Sequence, residues 1–396
     1  MATTTSEKRR TYTGPAILDY GFRPFFLLAG FWAAGSMILW VTTFSGKLLL
    51  PTHLPMIDWH VHALLFGFVP AVMAGFLMTA IPNWTGRLPV FGAPLAVLAL
   101  LWVSGRLAML ISAEIGPSLA AVIDIAFLAA LSYVAGREII AGRNWRNLKI
   151  LIPVSILLAA NIVFHIESQY GSAAFGVGTR LGIAATLFLI MLIGGRIIPS
   201  FTRNWLAQHN PGRLPTPFGR FDSVALGVSL IALIGWVAFP LSIGTGAACG
   251  LAGVFQASRL ARWAGDRTFG EPLLLVLHVA YAFVPIGFAL TAVAALIPAS
   301  IAATTALHAW TAGAIGLMTI SMMIRATRGH TGRALTAPLA SRLILASVLA
   351  SALLRVMAPY LPVAYLLSVQ IAGIAWILGF GGFVLAYAPA LCRRNG

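Results

Sequence analysis

Apolar stretches of roughly twenty residues recur along this chain, separated by short polar breaks. A helix of that length crosses the hydrocarbon core of a bilayer, and long apolar runs without two-residue alternation favour helices over a membrane β-barrel. The pattern predicts an all-α, polytopic transmembrane bundle of about twelve spans. The expected spans are Pro24–Phe44, Trp59–Pro82, Phe91–Ser112, Ser118–Ile140, Leu148–Tyr170, Ala174–Pro199, Phe221–Pro240, Ile243–Trp263, Pro272–Ile297, Ile301–Ala326, Leu339–Tyr360 and Pro362–Tyr387.

The composition agrees with a chain whose surface meets lipid. Of the 396 residues, 59% are hydrophobic and 9% are charged, whereas a soluble domain carries about a quarter charged residues. No segment outside the predicted spans is long enough for a soluble domain, so residues 1–396 are expected to form a single integral membrane domain. The basic amino-terminal segment is not followed by a short apolar core with a small-residue cleavage site, so no signal peptide is expected.

The lysine and arginine residues are distributed unevenly across the predicted spans. All but four of the 26 fall on the side that holds the amino terminus, the exceptions being Lys47, Arg106, Arg180 and Arg355. Because basic flanks are retained in the cytoplasm, both termini are expected to be cytoplasmic. Retention and contact with anionic headgroups then account for the net charge of +16, and no nucleic-acid partner is expected.

Several familiar kinds of enzyme chemistry lack a motif here. The sequence contains no GxxxxGK[ST], GxGxxG or HExxH pattern, which argues against ATP-driven transport, dinucleotide binding and zinc-protease chemistry. Cys249 and Cys392 do not have CxxC spacing, so neither a disulfide nor a thiolate metal site is indicated. The polar residues inside the spans are therefore the candidates for function.

Four of the eight histidines share one predicted depth: His60, His62, His165 and His308 lie within about 10 Å of the outer boundary. Imidazole is a good ligand for haem iron and copper, so this layer is a candidate cofactor and metal site. For any single histidine, hydrogen-bonded packing is the alternative. His278, near the inner end of the ninth span, is a further metal-ligand candidate with the same alternative.

The pair His60 and His62 constrains the geometry of such a site. Residues two apart on a regular helix point about 200° apart, so the two rings are expected to reach two different centres or partners. Fraying at the start of the span would remove that limit.

Three arginines, Arg106, Arg180 and Arg355, lie at a similar outer depth inside spans. Their guanidinium groups are suited to the two carboxylates of a haem, which predicts a cofactor-binding role. The alternatives are ion pairs with Asp124, Glu114 or Glu167 and snorkelling to the headgroups.

Four segments at the predicted inner span ends are rich in Arg, Gly, Pro and Trp, a composition typical of positive-inside anchors and helix stops: Gly21–Phe25, Pro82–Arg87, Gly194–Trp205 and Arg325–Arg333. Six strings of the sequence, some of which overlap these segments, carry a resemblance to a known family. They are Gly21–Phe25, Trp59–Gly67, Ala74–Arg87, Gly194–Leu206, Leu277–Tyr281 and Arg325–Arg333. In this order, the strings make the chain similar to the NnrS family nearly from end to end. The resemblance implies a multi-pass protein of the bacterial inner membrane that contains haem, with b-type haem expected, and copper. It also implies a role in denitrification and in resistance to nitric oxide.

One position departs from the family pattern. Many members have a glutamate directly after the histidine pair, where this sequence has Ala63. If that acid handles protons in the relatives, Asp58, Glu167 or a chain of water molecules would take its role here.

Two functions from different classes are compatible with these features. In the first, the chain is an oxidoreductase that binds nitric oxide at a haem and copper site and reduces or detoxifies it, with electrons from a quinol or a cytochrome. In the second, it is a non-catalytic haem- or copper-binding membrane module, or a transporter linked to nitric oxide stress. The first is favoured because redox metals enclosed in a membrane suit chemistry, although no catalytic residue is assigned from the sequence.

The predicted topology is tested by reporter fusions at the carboxyl terminus. A green fluorescent protein joined to Gly396 should fluoresce and alkaline phosphatase at the same place should be inactive, because basic flanks keep that end in the cytoplasm. An active phosphatase fusion would contradict the depth assigned to the histidine layer.

Overall fold

A computed structural model describes residues 12–297, 299–361 and 364–394. Within these ranges the chain forms helices and short connections, with no strand. Twelve long helices follow in chain order: α1 (Phe22–Phe44), α2 (Met56–Thr85), α3 (Ala93–Leu110), α4 (Pro117–Ala141), α5 (Trp145–Glu167), α6 (Val177–His209), α7 (Arg220–Ala238), α8 (Ile243–Ala261), α9 (Pro272–Leu296), α10 (Ala303–His330), α11 (Leu339–Tyr360) and α12 (Tyr365–Cys392).

Eleven of these helices are long and apolar enough to cross a membrane, which confirms the predicted polytopic helical bundle. The remaining helix, α8, has 19 residues and lies where the eighth span was predicted, but Gln256 and Arg259 make it less apolar. Large apolar side chains stay exposed, among them Ile231 (68%) and Leu385 (82%). Such side chains are suited to contact with lipid.

Most predicted helix ends differ from the observed ones by a few residues, and two helices continue past a proline at which the predicted span stops. The spans predicted to stop at Pro82 and Pro199 continue, so that α2 ends at Thr85 and α6 at His209. Membrane helices tolerate internal proline because neighbouring groups satisfy the carbonyls that proline leaves free. After α2, Gly86 adopts a left-handed backbone (φ 67°) and donates its N–H to the Pro82 carbonyl, which stops the helix.

The helices form two compact units. The first comprises the chain through Gly182, together with Ala326–Arg333 and the residues from Phe380 onward. The second comprises Ile183–Arg325 and Ala334–Gly379. The helices α1 to α5 belong to the first unit, and α7, α8, α9 and α11 belong to the second.

In the first unit, one arginine joins the start of α1 to the end of α12. The buried Arg23 donates from Nη1 to the carbonyls of Ala390, Leu391 and Arg393 at 3.1, 3.1 and 2.8 Å. Carbonyls at a helix carboxyl end have no partner within the helix and carry partial negative charge. A guanidinium group therefore satisfies them well.

Three helices contain a π-helical segment. These segments are Ala63–Phe68 in α2, Ile190–Gly194 in α6 and Ala309–Leu317 in α10. The wider π turn is rare and is found frequently at functional sites.

Side chains from neighbouring helices satisfy the carbonyls of the π segment in α2. The hydrogen bonds are Trp32 Nε1 to Ala63 O (2.8 Å), Arg106 Nη1 to Phe66 O (2.9 Å) and Trp102 Nε1 to Gly67 O (2.9 Å). A Cβ atom on Gly67 would lie 2.5 Å from Arg106 Nη1 and 2.7 Å from Trp32 Nε1. The approach of these donors therefore requires glycine at this position.

A related arrangement stabilises the second unit. Arg259 is fully buried, and its Nη1 donates to the carbonyl of Met191 in the π segment of α6 (2.8 Å) and to the Tyr281 hydroxyl (3.0 Å). Its Nε donates to Asp222 Oδ1 at 2.9 Å. In the first unit, Arg106 likewise donates to Asp124, so in each unit a buried arginine joins a π-segment carbonyl to an aspartate.

Asp222→Asn is expected to destabilise the protein strongly. The substitution leaves the Arg259 charge buried without its counter-charge, and removing one partner of a buried ion pair costs about 3–5 kcal/mol. The midpoint of thermal unfolding in detergent, followed by circular dichroism, measures the loss.

Asp266→Asn is the matched control, because Asp266 forms an exposed ion pair with Arg213. Such pairs contribute about 0–1 kcal/mol. The Arg213 hydrogen bond lowers the pKa of the Asp266 carboxyl, so the small contribution is present above the ordinary aspartate range and is lost as the pH falls. Equal midpoints for the two variants would contradict the importance of the buried pair.

Candidate metal centre

A buried carboxylate in the first unit brings together side chains from four helices. Asp124 on α4 contacts His62 on α2, Arg106 on α3, and Asn161 and His165 on α5. All five side chains belong to residues that are at most 4% exposed. The sequence therefore buries a carboxylate, a guanidinium group, an amide and two imidazoles at one point between apolar helices.

The two oxygens of Asp124 have different partners. Oδ2 lies 3.0 Å from His62 Nε2, 3.0 Å from His165 Nε2 and 2.8 Å from Asn161 Nδ2. Oδ1 accepts a hydrogen bond from Arg106 Nη2. One oxygen is thus held by the arginine, and the other faces both imidazoles.

Small residues and aromatic rings make room for this cluster. Gly105 allows α3 to approach α4, because a Cβ atom there would lie 3.1 Å from the Asp124 Cα. The rings of Phe66 and Phe164 pack against His62 at centroid distances of 5.7 and 5.3 Å. The cluster is therefore enclosed by apolar surface, which strengthens electrostatic interactions within it.

The donor atoms converge closely enough to surround an ion. One ligand atom from each of His62, Asp124 and His165 lies within 4.8 Å of the other two, the one such group of three found in the described residues. Two imidazoles and a carboxylate suit copper, zinc or ferrous iron better than calcium or magnesium. The residues therefore fit a transition metal ion.

Two atoms of the cluster have hydrogen-bonding capacity that the protein does not use. Asn161 Oδ1 and Arg106 Nε are buried and make no hydrogen bond. Buried polar atoms normally have partners, and an orphaned atom is often explained by a bound ion or water molecule. This observation, too, fits a site that holds a further group.

A third imidazole lies in the connection between α1 and α2. Both ring nitrogens of His53 are enclosed and make no hydrogen bond. Burial is the main cause that lowers the pKa of His53, and the electrostatic influence of His165 acts in the same direction. The backbone N–H of His53 donates to Ser112 Oγ at 3.1 Å, which fixes the segment against the end of α3.

The structure separates His60 from His62, as the spacing predicts. The half-buried ring of His60 stacks on Trp40 with a centroid distance of 4.2 Å and an interplanar angle of 24°. His62 points into the Asp124 cluster. The helix is regular from Met56 to His62, so fraying does not change the directions of the two rings.

The other predicted site residues lie apart from this cluster or in the second unit. Arg180 donates to the Phe175 carbonyl in the first unit. In the second unit, His278 Nε2 lies 2.9 Å from Thr202 Oγ1, and its buried Nδ1 makes no hydrogen bond. His308 and Arg355 also belong to the second unit. Of the predicted residues, the structure brings together His62, His165 and Arg106.

The acid beside the histidines is Asp124, not one of the acids proposed to replace the missing glutamate at Ala63. Asp58 accepts hydrogen bonds from the backbone N–H groups of Ala173 and Ala174. Glu167 accepts from the backbone at the start of α6. The Asp58 carboxylate therefore fixes the connection before α6, and the Glu167 carboxylate caps the start of α6.

Sequence reasoning missed Asp124 and Asn161 as members of the site. Asp124 carried a usable signal, because an acid inside an apolar span normally faces a polar partner or a cavity. It was considered only as a partner for an arginine.

The comparisons with known proteins agree with this architecture. The family model described as "NnrS protein" matches residues 16–394, which is nearly the whole chain. No curated protein matches the chain, and no solved structure matches it. On the basis of the family match, this chain belongs to the NnrS family.

Proposed function

We propose that the chain is a haem- and copper-containing oxidoreductase that binds nitric oxide within the inner membrane and reduces or otherwise detoxifies it. Membership of the NnrS family supports a membrane protein of nitric-oxide-related metabolism. The observation that carries the proposal further is the buried convergence of His62, His165 and Asp124 on one point.

In this proposal, His62, His165 and Asp124 hold a copper ion. The two Nε2 atoms and Asp124 Oδ2 are the ligand atoms, because they already face one another. Binding requires each Nε2 to give up its proton or to pass to the other tautomer.

Arg106 sets the charge and the orientation of the centre. Its guanidinium group neutralises Asp124 and holds Oδ1, so that Oδ2, which also accepts from Asn161 Nδ2, is the oxygen that faces the two imidazoles. A buried carboxylate without such a partner would be costly to keep ionised. Arg106 also donates to the π segment of α2, which links the position of the carboxylate to the helix that carries His62.

A bound copper ion would supply a redox-active position at which nitric oxide can coordinate. Reduction of two nitric oxide molecules to nitrous oxide and water also consumes two electrons and two protons. We assign the electrons to a quinol or a cytochrome. The apolar surroundings formed by Phe66 and Phe164 suit the entry of an apolar gas from the bilayer and exclude water.

One observation favours the alternative, a non-catalytic haem- or copper-binding membrane module. Asp124 accepts hydrogen bonds from four side chains, so it is tightly held and poorly suited to carrying protons. Ala63 contributes no acid in its place. Turnover of nitric oxide by the purified protein with a chemical reductant separates the enzyme from the binding module.

Removal of any one ligand should empty the metal centre. His62→Ala, His165→Ala and Asp124→Asn are each expected to lower the copper content of the purified protein at least about tenfold, because even outer-shell partners contribute about 10–100-fold to metal affinity. Elemental analysis and electron paramagnetic resonance of the oxidised protein measure the ion and its nitrogen ligands.

His60→Ala and His209→Ala are the matched controls. His60 stacks on Trp40 and His209 stacks on Trp205, so neither belongs to the centre. Both variants should retain copper. Full copper content in the His62 and His165 variants would show that the cluster is a structural hydrogen-bond network. Bound iron in place of copper would overturn the metal assignment.

Binding of nitric oxide is tested on the same preparations. Anaerobic addition of nitric oxide to the reduced wild-type protein should change its visible and paramagnetic resonance spectra. The copper-dependent part of that change should be absent from His62→Ala, because the variant lacks the coordinating imidazole. A wild-type spectrum that does not respond would contradict the proposed substrate.

A further inference from the structure

Two stretches of the chain repeat the same pattern around a histidine. His62 and His308 each end a short α-helical stretch and directly precede a π segment. The tripeptide Thr-Gly-Arg follows each of them at the same spacing, as Thr85–Arg87 and Thr331–Arg333. The central glycines have the same left-handed backbone, with φ of 67° and 68°. Shared spacing, sequence and backbone geometry together indicate an internal duplication.

The repeat continues into the following helices. Asp124 follows His62 by 62 residues, and Gln370 follows His308 by the same 62 residues. The dipeptide Ile-Ala directly follows Asp124 in the first copy and Gln370 in the second. An arginine lies on the intervening helix of each copy, although not at the same spacing: Arg106 follows His62 by 44 residues and Arg355 follows His308 by 47. These positions define a first triad, His62, Arg106 and Asp124, and a second triad, His308, Arg355 and Gln370.

The second unit brings together the helices that carry the second triad. Thr305, one turn before the histidine, lies 3.4 Å from the hydroxyl of Tyr360, which follows the arginine on α11. Ser351, one turn before the arginine, donates to the carbonyl of Ala372, two residues after the glutamine on α12. The helices α10, α11 and α12 therefore pack together at the level of the second triad.

The second triad differs from the first in charge and in the number of imidazoles. Gln370 stands where the first copy has a carboxylate, so the position is neutral. Across residues 12–297, 299–361 and 364–394, the group of three convergent histidine and acid ligands occurs at Asp124 alone. The second triad thus offers one imidazole. Protein metal sites usually need three or four protein ligands, so a bare ion does not fit.

The imidazole of His308 is oriented as a ligand. Its Nδ1 lies 2.7 Å from the Thr304 carbonyl, which can only accept, so Nδ1 carries the proton. In the neutral ring, the lone pair is then on Nε2. A backbone carbonyl that fixes the tautomer in this way is typical of metal-bound histidine.

Arg355, on a helix that packs against the helix of His308, offers a site for an anionic group. Its Nη2 donates to the Tyr365 hydroxyl at 3.2 Å, whereas its Nη1 is buried and makes no hydrogen bond. A buried guanidinium N–H without an acceptor is costly and is well matched by a carboxylate oxygen.

We infer that the second triad is a separate cofactor site, in which His308 Nε2 is the axial ligand of a metalloporphyrin and Arg355 binds one of its carboxylates. A porphyrin brings four equatorial nitrogens, so a single imidazole is sufficient. The inference rests on the proposed haem content of the chain. It assigns the haem to the second triad and the bare ion to the centre at Asp124.

The test measures haem and copper separately in full-length, purified variants. His308→Ala should lose haem at least about tenfold and retain copper, since the two cofactors have different ligands. His62→Ala should lose copper and retain haem. Imidazole added to His308→Ala should restore a haem spectrum, because it fills the cavity left by the ring. Retained copper shows that the His308 variant is folded.

Two substitutions of Arg355 give a graded test of its contact with the cofactor carboxylate. Arg355→Leu should lower haem retention more than Arg355→Lys, because lysine keeps the charge although it lacks the fork. Arg180→Leu, in the first unit, should retain haem. Full haem in His308→Ala, or loss of both cofactors that imidazole does not reverse, overturns the inference. Absence of copper from the wild type would sink the proposed copper centre and would leave the haem result at His308 standing.

Discussion

The ionised carboxylate of Asp124 is the interaction on which the first unit's site depends. A lone charge at that depth would be expensive, and the protein offsets the cost with Arg106, Asn161 and two imidazoles. These donors come from α2, α3 and α5, so three helices must reach Asp124 on α4 together. The charge therefore selects a single packing of α2, α3, α4 and α5, where apolar contacts alone would tolerate many.

The π segments show how a membrane helix can present backbone carbonyls to side chains of neighbouring helices. A wider turn exposes backbone carbonyls that lipid cannot satisfy, and in α2 two tryptophans and Arg106 satisfy them instead. The same solution appears around Met191, where Arg259 makes the contact. In both units, a buried arginine donates to a carbonyl of the π segment. A change in the arginine should therefore disturb the π segment, and a change in the π segment should disturb the arginine.

The helices were predictable because lipid imposes length and hydropathy on every crossing segment. The opposite directions of His60 and His62 were also predictable, since helical periodicity alone decides them. The site itself was not. Asp124 and His165 converge through packing of helices distant in sequence, and no local pattern encodes which acid will face which histidine. The π segments were missed for a related reason: a wider turn in an apolar run leaves the hydropathy unchanged.

The contact of Arg23 with the last turn of α12 limits how many times the chain can cross the membrane. A side chain at the start of α1 can reach the carbonyls of Ala390, Leu391 and Arg393 only if both helix ends lie at one membrane face. A chain that begins and ends at the same face must cross an even number of times. With all eleven apolar helices of the described residues crossing, α8, despite its glutamine and arginine, supplies the crossing that makes the number even.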